Sequence, residues 1–373
     1  MWWSQPTTEA ATVASTRNRS NSYGKEAHVT TSVEPQAPAT AAEQFALRQQ
    51  SPLQRVQHLL HAHPSLSPLM VLIVACIAFT IINPRFAQPA TISIILQQTA
   101  VVAALAIGQT LIILTAGIDL AVGATAILAM LVMANLAANN GVPGGLALLI
   151  GIAVGTVCGF LNGLLVTRLN LPPFIVTLGT LSIYTAIGLL YSGGASVGKN
   201  KMPAILNLMG TRFPIGPFRL TIGVVVVAVL AAVVAFVLSQ TSWGRHLYAV
   251  GDDLEAARLV GIQVDRLLLS VYTVAGLIYG FSAWVLIGRA GTASPNAIVG
   301  ANLETITAVV IGGTSLFGGR GGIVGTILGA LIVYAFNIGL ALAGVDDQLR
   351  ILAIGVLIIL AVSIDQWIRK VKA

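Results

Sequence analysis

The sequence predicts an all-α polytopic membrane protein, on three observations. Hydrophobic residues make up 56% of the chain and charged residues 9%, against about 25% charged in a soluble domain. The few charges leave long charge-free runs: Val56–Pro84, Phe86–Ile118, Leu120–Thr167, Leu169–Gly198, Leu220–Gly244, Leu267–Gly288 and Gly321–Val345. A charge at mid-bilayer costs about 2.5–3.5 kcal/mol, and an apolar helix of about 20 residues spans the hydrocarbon, so these runs read as crossing helices.

Taken in chain order, residues 1–52 are rich in Thr, Ser, Ala, Gln and Asn without periodic hydrophobicity, which predicts a disordered cytoplasmic tail. Trp2 and Trp3 are not followed by an apolar stretch, so no cleavable signal peptide is expected. Leu53, Val56, Leu59 and Leu60 share a helical face ahead of Pro64, predicting an interfacial helix over 53–64. His58, His61 and His63 within it have no carboxylate or thiol neighbour and read as solvated surface groups. A transmembrane domain follows over 65–368. Its spans, about ten, fall near 66–83, 92–114, 119–138, 145–166, 172–192, 219–240, 267–288, 302–315, 322–343 and 348–367. Glycine and serine at 116–123 and 312–322 mark places for broken or re-entrant backbone. A basic tail, 369–373, closes the chain.

Placing both termini in the cytoplasm puts 13 of the 20 lysines and arginines inside, including Arg168, Arg245, Arg258, Arg266, Arg369, Lys370 and Lys372. The longest outside connection, about 193–218, carries Pro203, Pro214 and Pro217 and reads as a docking surface. Net charge is +7, but the basic residues are scattered through tail, loops and C-terminus, where they act as topology determinants; no nucleic-acid partner is expected. Cys76 and Cys158 sit in apolar spans without metal-ligand neighbours and read as small buried hydrophobes. No metal or cofactor is expected.

One internal segment, 241–266, breaks the hydrophobic pattern. Asp252 with Glu255 three residues later has the form of a capping box, and Gly261 is a helix stop. The short helix between them presents Ala256 and Ala257 for close approach and Glu255 and Arg258 for register, which suits a helix lying in a partner's groove. Gly117-x-x-Leu120-x-x-Gly123 and Gly313-x-x-Leu316-x-x-Gly319 repeat one spacing, either by internal duplication or by coincidence among 38 glycines. Gly313 and Gly318 have phosphate-loop spacing, but Gly319-Arg320 stands where that loop needs Lys and Ser or Thr, so any ATP chemistry must come from a separate subunit.

Several blocks then form a pattern: Gly117-Ile118-Asp119-Leu120 with Val122-Gly123, Asn162-Gly163-Leu164-Leu165-Val166, Pro173 to Thr180, the 244–261 segment with Glu255-Ala256-Ala257-x-x-x-Gly261, and Ala308 to Leu316. In this order, across roughly 95–365, they resemble the monosaccharide permeases of ribose-type ABC importers. The resemblance implies that the chain pairs with a second permease copy, that a periplasmic sugar-binding protein docks outside, and that a cytosolic ABC ATPase binds the 244–261 segment. Its coupling residues would be Gly244, Arg245, Asp252, Glu255, Ala256, Ala257, Arg258 and Gly261, in a lipid-embedded protein of the bacterial inner membrane that is not itself an enzyme. Gln97, Gln109, Asn162 and Asn337 are neutral polar residues within spans and either face an uncharged sugar or join neighbouring helices. Asp119 and Glu304 read as helix caps or solvated groups near membrane ends. Alternatives at this stage are an ion-coupled secondary transporter, which would need an acid at mid-span, or an ABC permease for a non-sugar solute.

Overall fold

Long runs of Ala, Val, Ile and Leu without polar interruption form helices here because the backbone must satisfy its own hydrogen bonds where water is absent. The computed structural model describes residues 66–298 and 300–370. The helices are α1 (Leu66–Ile82), α2 (Pro89–Leu114), α3 (Val122–Ala138), α4 (Gly144–Arg168), α5 (Pro173–Ser192), the one-turn α6 (Ala204–Asn207), α7 (Ile222–Gln240), α8 (Ser242–Asp252), α9 (Leu254–Leu259), α10 (Val264–Ala290), α11 (Ala301–Ile311), α12 (Ile323–Leu342) and α13 (Asp347–Lys370). All ten segments predicted as spans are helical, and six helices (α2, α4, α5, α7, α10 and α12) are long and apolar enough to cross a membrane. The 1–52 tail and the 53–64 helix lie outside the described residues. Of the predicted basic tail, Arg369 and Lys370 belong to α13, and 371–373 lie outside the description.

Helices α2 and α10 form the centre. From Thr99 to Leu114 every residue of α2 is buried, as expected of a helix that is apolar on all sides. α4 lies against α10 at backbone distance. A Cβ at Gly276 would strike the Gly155 carbonyl oxygen and stand 2.7 Å from Gly159 Cα, so only glycines allow this approach. At the edge, Gly339 of α12 gives room to the Phe79 ring of α1, which packs edge-on against Phe336 at 5.3 Å. Large apolar side chains on α1, α5, α7 and α13 face outward.

The connections gather at two ends. At one, Asn83 Nδ2 donates to the Leu342 carbonyl (2.7 Å), and the Arg219 amide donates to Ser93 Oγ (3.0 Å). There too β1 (Val197–Gly198) pairs antiparallel with β4 (Thr292–Ala293), beside a hairpin of β2 (Arg212–Ile215) and β3 (Phe218–Thr221). At the other end, the connection after α2, the α8–α9 pair and the 312–322 connection touch one another. Successive long helices therefore run back and forth between the ends.

Two predicted spans begin or end differently. α3 starts at Val122 rather than 119, because Ala116 takes a left-handed φ of 59° and Asp119 Oδ1 accepts the Ala121 amide at 2.7 Å. α11 stops at Ile311, ahead of Gly313, Gly318 and Gly319 at φ of 83°, 83° and 69°. These are the stretches where glycine and serine predicted interrupted backbone.

Candidate coupling face and polar core

The 241–266 segment folds as two helices where the sequence reading placed one. Thr241 Oγ1 caps α8 by accepting the Gly244 amide (3.2 Å). Gly244, Leu247, Val250 and Gly251 recur at helical spacing and are buried, and this period fixes α8 against the bundle. Trp243 Nε1 donates to Ser270 Oγ of α10 (2.9 Å), and the Tyr248 hydroxyl donates to the Gly321 carbonyl (2.9 Å). Burial raises the Tyr248 hydroxyl above the ordinary tyrosine range.

α9 corrects the predicted helix start. Asp253, not Asp252, is the cap: its Oδ1 accepts the amides of Glu255 (2.9 Å) and Ala256 (3.0 Å), while Asp252 is the last residue of α8. The extended backbone of Asp253 separates the two helices and aims its carboxylate back over the new turn. Gly261, at φ of 88°, closes the helix, and the Ile262 amide returns to the Ala257 carbonyl (3.1 Å). Arg258 lies 3.2 Å from Glu255 and 3.7 Å from Asp265, an exposed pair of contacts worth about 1 kcal/mol or less.

Exposure divides the predicted coupling residues. Arg245, Asp252, Glu255, Ala256, Arg258 and Gly261 face outward. Gly244 and Ala257 are buried in the chain itself: Gly244 packs on the Leu238 backbone and Ala257 joins the core. Of the two alanines offered for close approach, only Ala256 is free. Sequence reasoning missed Leu259 and Val260, 88% and 77% exposed at the tip of the element. Two adjacent aliphatics in an otherwise polar segment were the available signal.

The polar residues inside the bundle each make separate contacts. Gln97 Nε2 donates to the Arg219 carbonyl (2.8 Å) and ties α2 to the hairpin. Asn337 Oδ1 lies 3.5 Å from Arg350 Nη1. Gln109 and Asn162 are buried: Gln109 Oε1 accepts the Tyr279 hydroxyl (3.2 Å) and Asn162 Oδ1 accepts the Tyr184 hydroxyl (3.1 Å). Their amide nitrogens, and the Tyr272 hydroxyl, find no partner among the described residues. Asp119 is neither solvated nor at a surface. It is 1% exposed, and its Oδ1 accepts the Ala121 amide. Glu304 accepts the Tyr334 hydroxyl at 3.0 Å and is partly buried.

The sequence that builds this bundle matches a known family. The family described as branched-chain amino acid transport system, permease component, covers residues 91–362. The chain belongs to this permease family. The permease is 49% identical over 339 residues to the fructose import permease protein FrcC of Rhizobium meliloti, covering 90% of this chain and 94% of that one. It is 35% identical over 306 residues to the ribose import permease protein RbsC of Bacillus subtilis, covering 81% and 92%. Against the galactose/methyl galactoside import permease protein MglC of Escherichia coli K12, identity is 33% over 310 residues, covering 80% and 92%. No solved structure matches the permease at a significant level. It is a multi-pass inner-membrane protein.

Proposed function

We propose that this permease is the membrane subunit of an ATP-driven ABC importer that moves a monosaccharide of the pentose or hexose class. The observation that carries the reading is the α8–α9 element: folded, capped at both ends and tipped by exposed Leu259 and Val260, with Glu255 and Arg258 beside them. Large apolar side chains held in water at the end of a membrane bundle are what a docking partner would cover. That partner is a separate cytosolic ABC ATPase, and the coupling face comprises Arg245, Asp252, Glu255, Ala256, Arg258 and Gly261, with Gly244 and Ala257 seating it. The names of the relatives, import permeases for fructose, ribose and galactose, support a sugar as the solute.

The same reading sets the topology. Ten crossings over 65–368, with the 1–52 tail, the 53–64 interfacial helix, the 241–266 element and the 369–373 end all cytoplasmic, are supported by the way the connections sort to two ends. A periplasmic sugar-binding protein docks on the 193–221 connection, whose exposed Lys199, Lys201, Arg212 and Arg219 suit an acidic partner face. The outward apolar faces meet lipid and a second permease copy. Gln97, Gln109, Asn162 and Asn337 remain the proposed pathway residues. The free amide donors of Gln109 and Asn162 are the groups that passing sugar hydroxyls would meet once the helices rearrange.

The test is affinity capture in detergent of sugar-operon ATPases co-expressed with the full chain, wild type and Leu259→Asp with Val260→Asp. Capture that the double substitution abolishes supports the docking role. Equal capture by both chains removes it. Uptake into liposomes by the chain alone under an ion gradient would replace the whole reading with a secondary transporter.

A further inference from the structure

Three segments far apart in sequence meet at the inner side of α8 by backbone alone. The Gly319 amide donates to the Leu114 carbonyl at 3.0 Å, joining the 312–322 connection to the end of α2. Gly251, in the last turn of α8, lies where a Cβ would strike the Leu114 carbonyl oxygen and stand 2.6 Å from the Gly319 amide nitrogen. A Cβ on Gly318 would stand 2.9 Å from the Ala116 amide nitrogen, and one on Gly319 would stand 2.9 Å from Asp252 Cα. Gly318 and Gly319 hold left-handed φ, so the approach needs glycine for conformation as well as space. Tyr248 bonds the same junction from the other side through the Gly321 carbonyl.

Both connections lead inward. The 115–121 stretch carries Asp119, which is buried and whose Oδ1 accepts the Ala121 amide. Just beyond it, the Gly123 amide donates to Asn302 Oδ1 of α11 at 2.9 Å, so the helices served by the two connections are also bonded to each other. Side chains can rotate to absorb a displacement; backbone packed on backbone leaves little room for that. We infer that the Gly251–Gly318–Gly319 junction, locked by Tyr248, is the linkage through which movement of the α8–α9 element reaches both glycine connections and the polar core behind them. This rests on the docking role proposed above for α8–α9. Tyr248 acts here as a positioning residue and touches neither solute nor partner.

Tyr248→Phe removes one hydrogen bond and keeps the ring. In the full chain in nanodiscs, it should speed amide hydrogen exchange in the 115–121 stretch, where Tyr248 makes no hydrogen bond among the described residues, as well as in 312–322. Acceleration confined to 312–322 overturns the linkage. In the reconstituted importer, Tyr248→Phe should leave ATPase capture intact and lower sugar moved per ATP about fivefold or more, assayed with D-fructose, D-ribose and D-galactose. Gly251→Ala, which must push the backbones apart, should lower the same ratio further. A merely structural role would reduce the amount of folded complex and leave the ratio unchanged; an unchanged ratio in both variants overturns the inference. If the wild-type chain captures no ATPase, the docking reading fails, while the exchange measurement still decides the linkage.

Discussion

Gly276 and Gly145 show why a glycine's neighbours decide its worth. A Cβ at Gly276 meets the Gly155 carbonyl and the Gly159 backbone, so Gly276→Ala should force α4 from α10 and cost about 1–3 kcal/mol. A Cβ at Gly145, in the first turn of α4, meets nothing within 4 Å. Gly145→Ala should instead be neutral or stabilising by up to about 1 kcal/mol. Denaturation in detergent would compare the two, and equal effects would contradict the packing argument. Asp253 gives a second residue-scale prediction. Asp253→Ala removes the acceptor of two amides and should cost α9 about 1 kcal/mol, seen as roughly fivefold faster exchange at Glu255 and Ala256. Asp252→Ala should leave both amides unchanged. Two adjacent aspartates gave the sequence no way to choose between them; the extended backbone at Asp253 decides it.

At the scale of elements, helices were legible wherever a long apolar run was unbroken. α2, α4, α5, α7, α10 and α12 are continuous apolar runs, and no other structure satisfies their backbones in hydrocarbon. The misses lie where polar and apolar residues mix. α8 was read as connection because Ser242, Arg245, His246 and Asp252 dominate it, yet its buried face follows a helical period that only the bundle reveals. Ala257 looked available to a partner because sequence does not tell which face of a six-residue helix is covered. Gln109 and Asn162 read from sequence either as pathway residues or as links between helices; which tyrosines reach them, Tyr279 of α10 and Tyr184 of α5, is set by packing that the sequence does not display. For the element itself, Glu255→Ala with Gly261→Ala should uncouple sugar uptake from ATP hydrolysis while the protein stays in the membrane. Normal uptake at a normal ATP cost would end the case for α9 as a coupling element.

At the scale of the whole molecule, the two-ended arrangement predicts sidedness. In intact cells, a membrane-impermeant maleimide should label Asn200→Cys from outside and reach Gln263→Cys only after the membrane is opened. Labelling of both from outside would refute the alternating topology. Cys76 and Cys158 are free, so a cysteine-free parent is the proper background.

One helix connects these scales. α10 begins directly after the exposed Leu259–Val260 tip and ends in β4, which is clasped to the 193–221 connection through Val197 and Ala293. On the docking sites proposed above, this single helix would join one partner's landing place to the other's, and free energy would pass through the permease in both directions. If nucleotide on one side alters how tightly the solute carrier is held on the other, carrier binding must alter nucleotide affinity by the same factor. The binding protein would then be a ligand of the ATPase at a distance, readable as a shift in nucleotide affinity before any sugar moves.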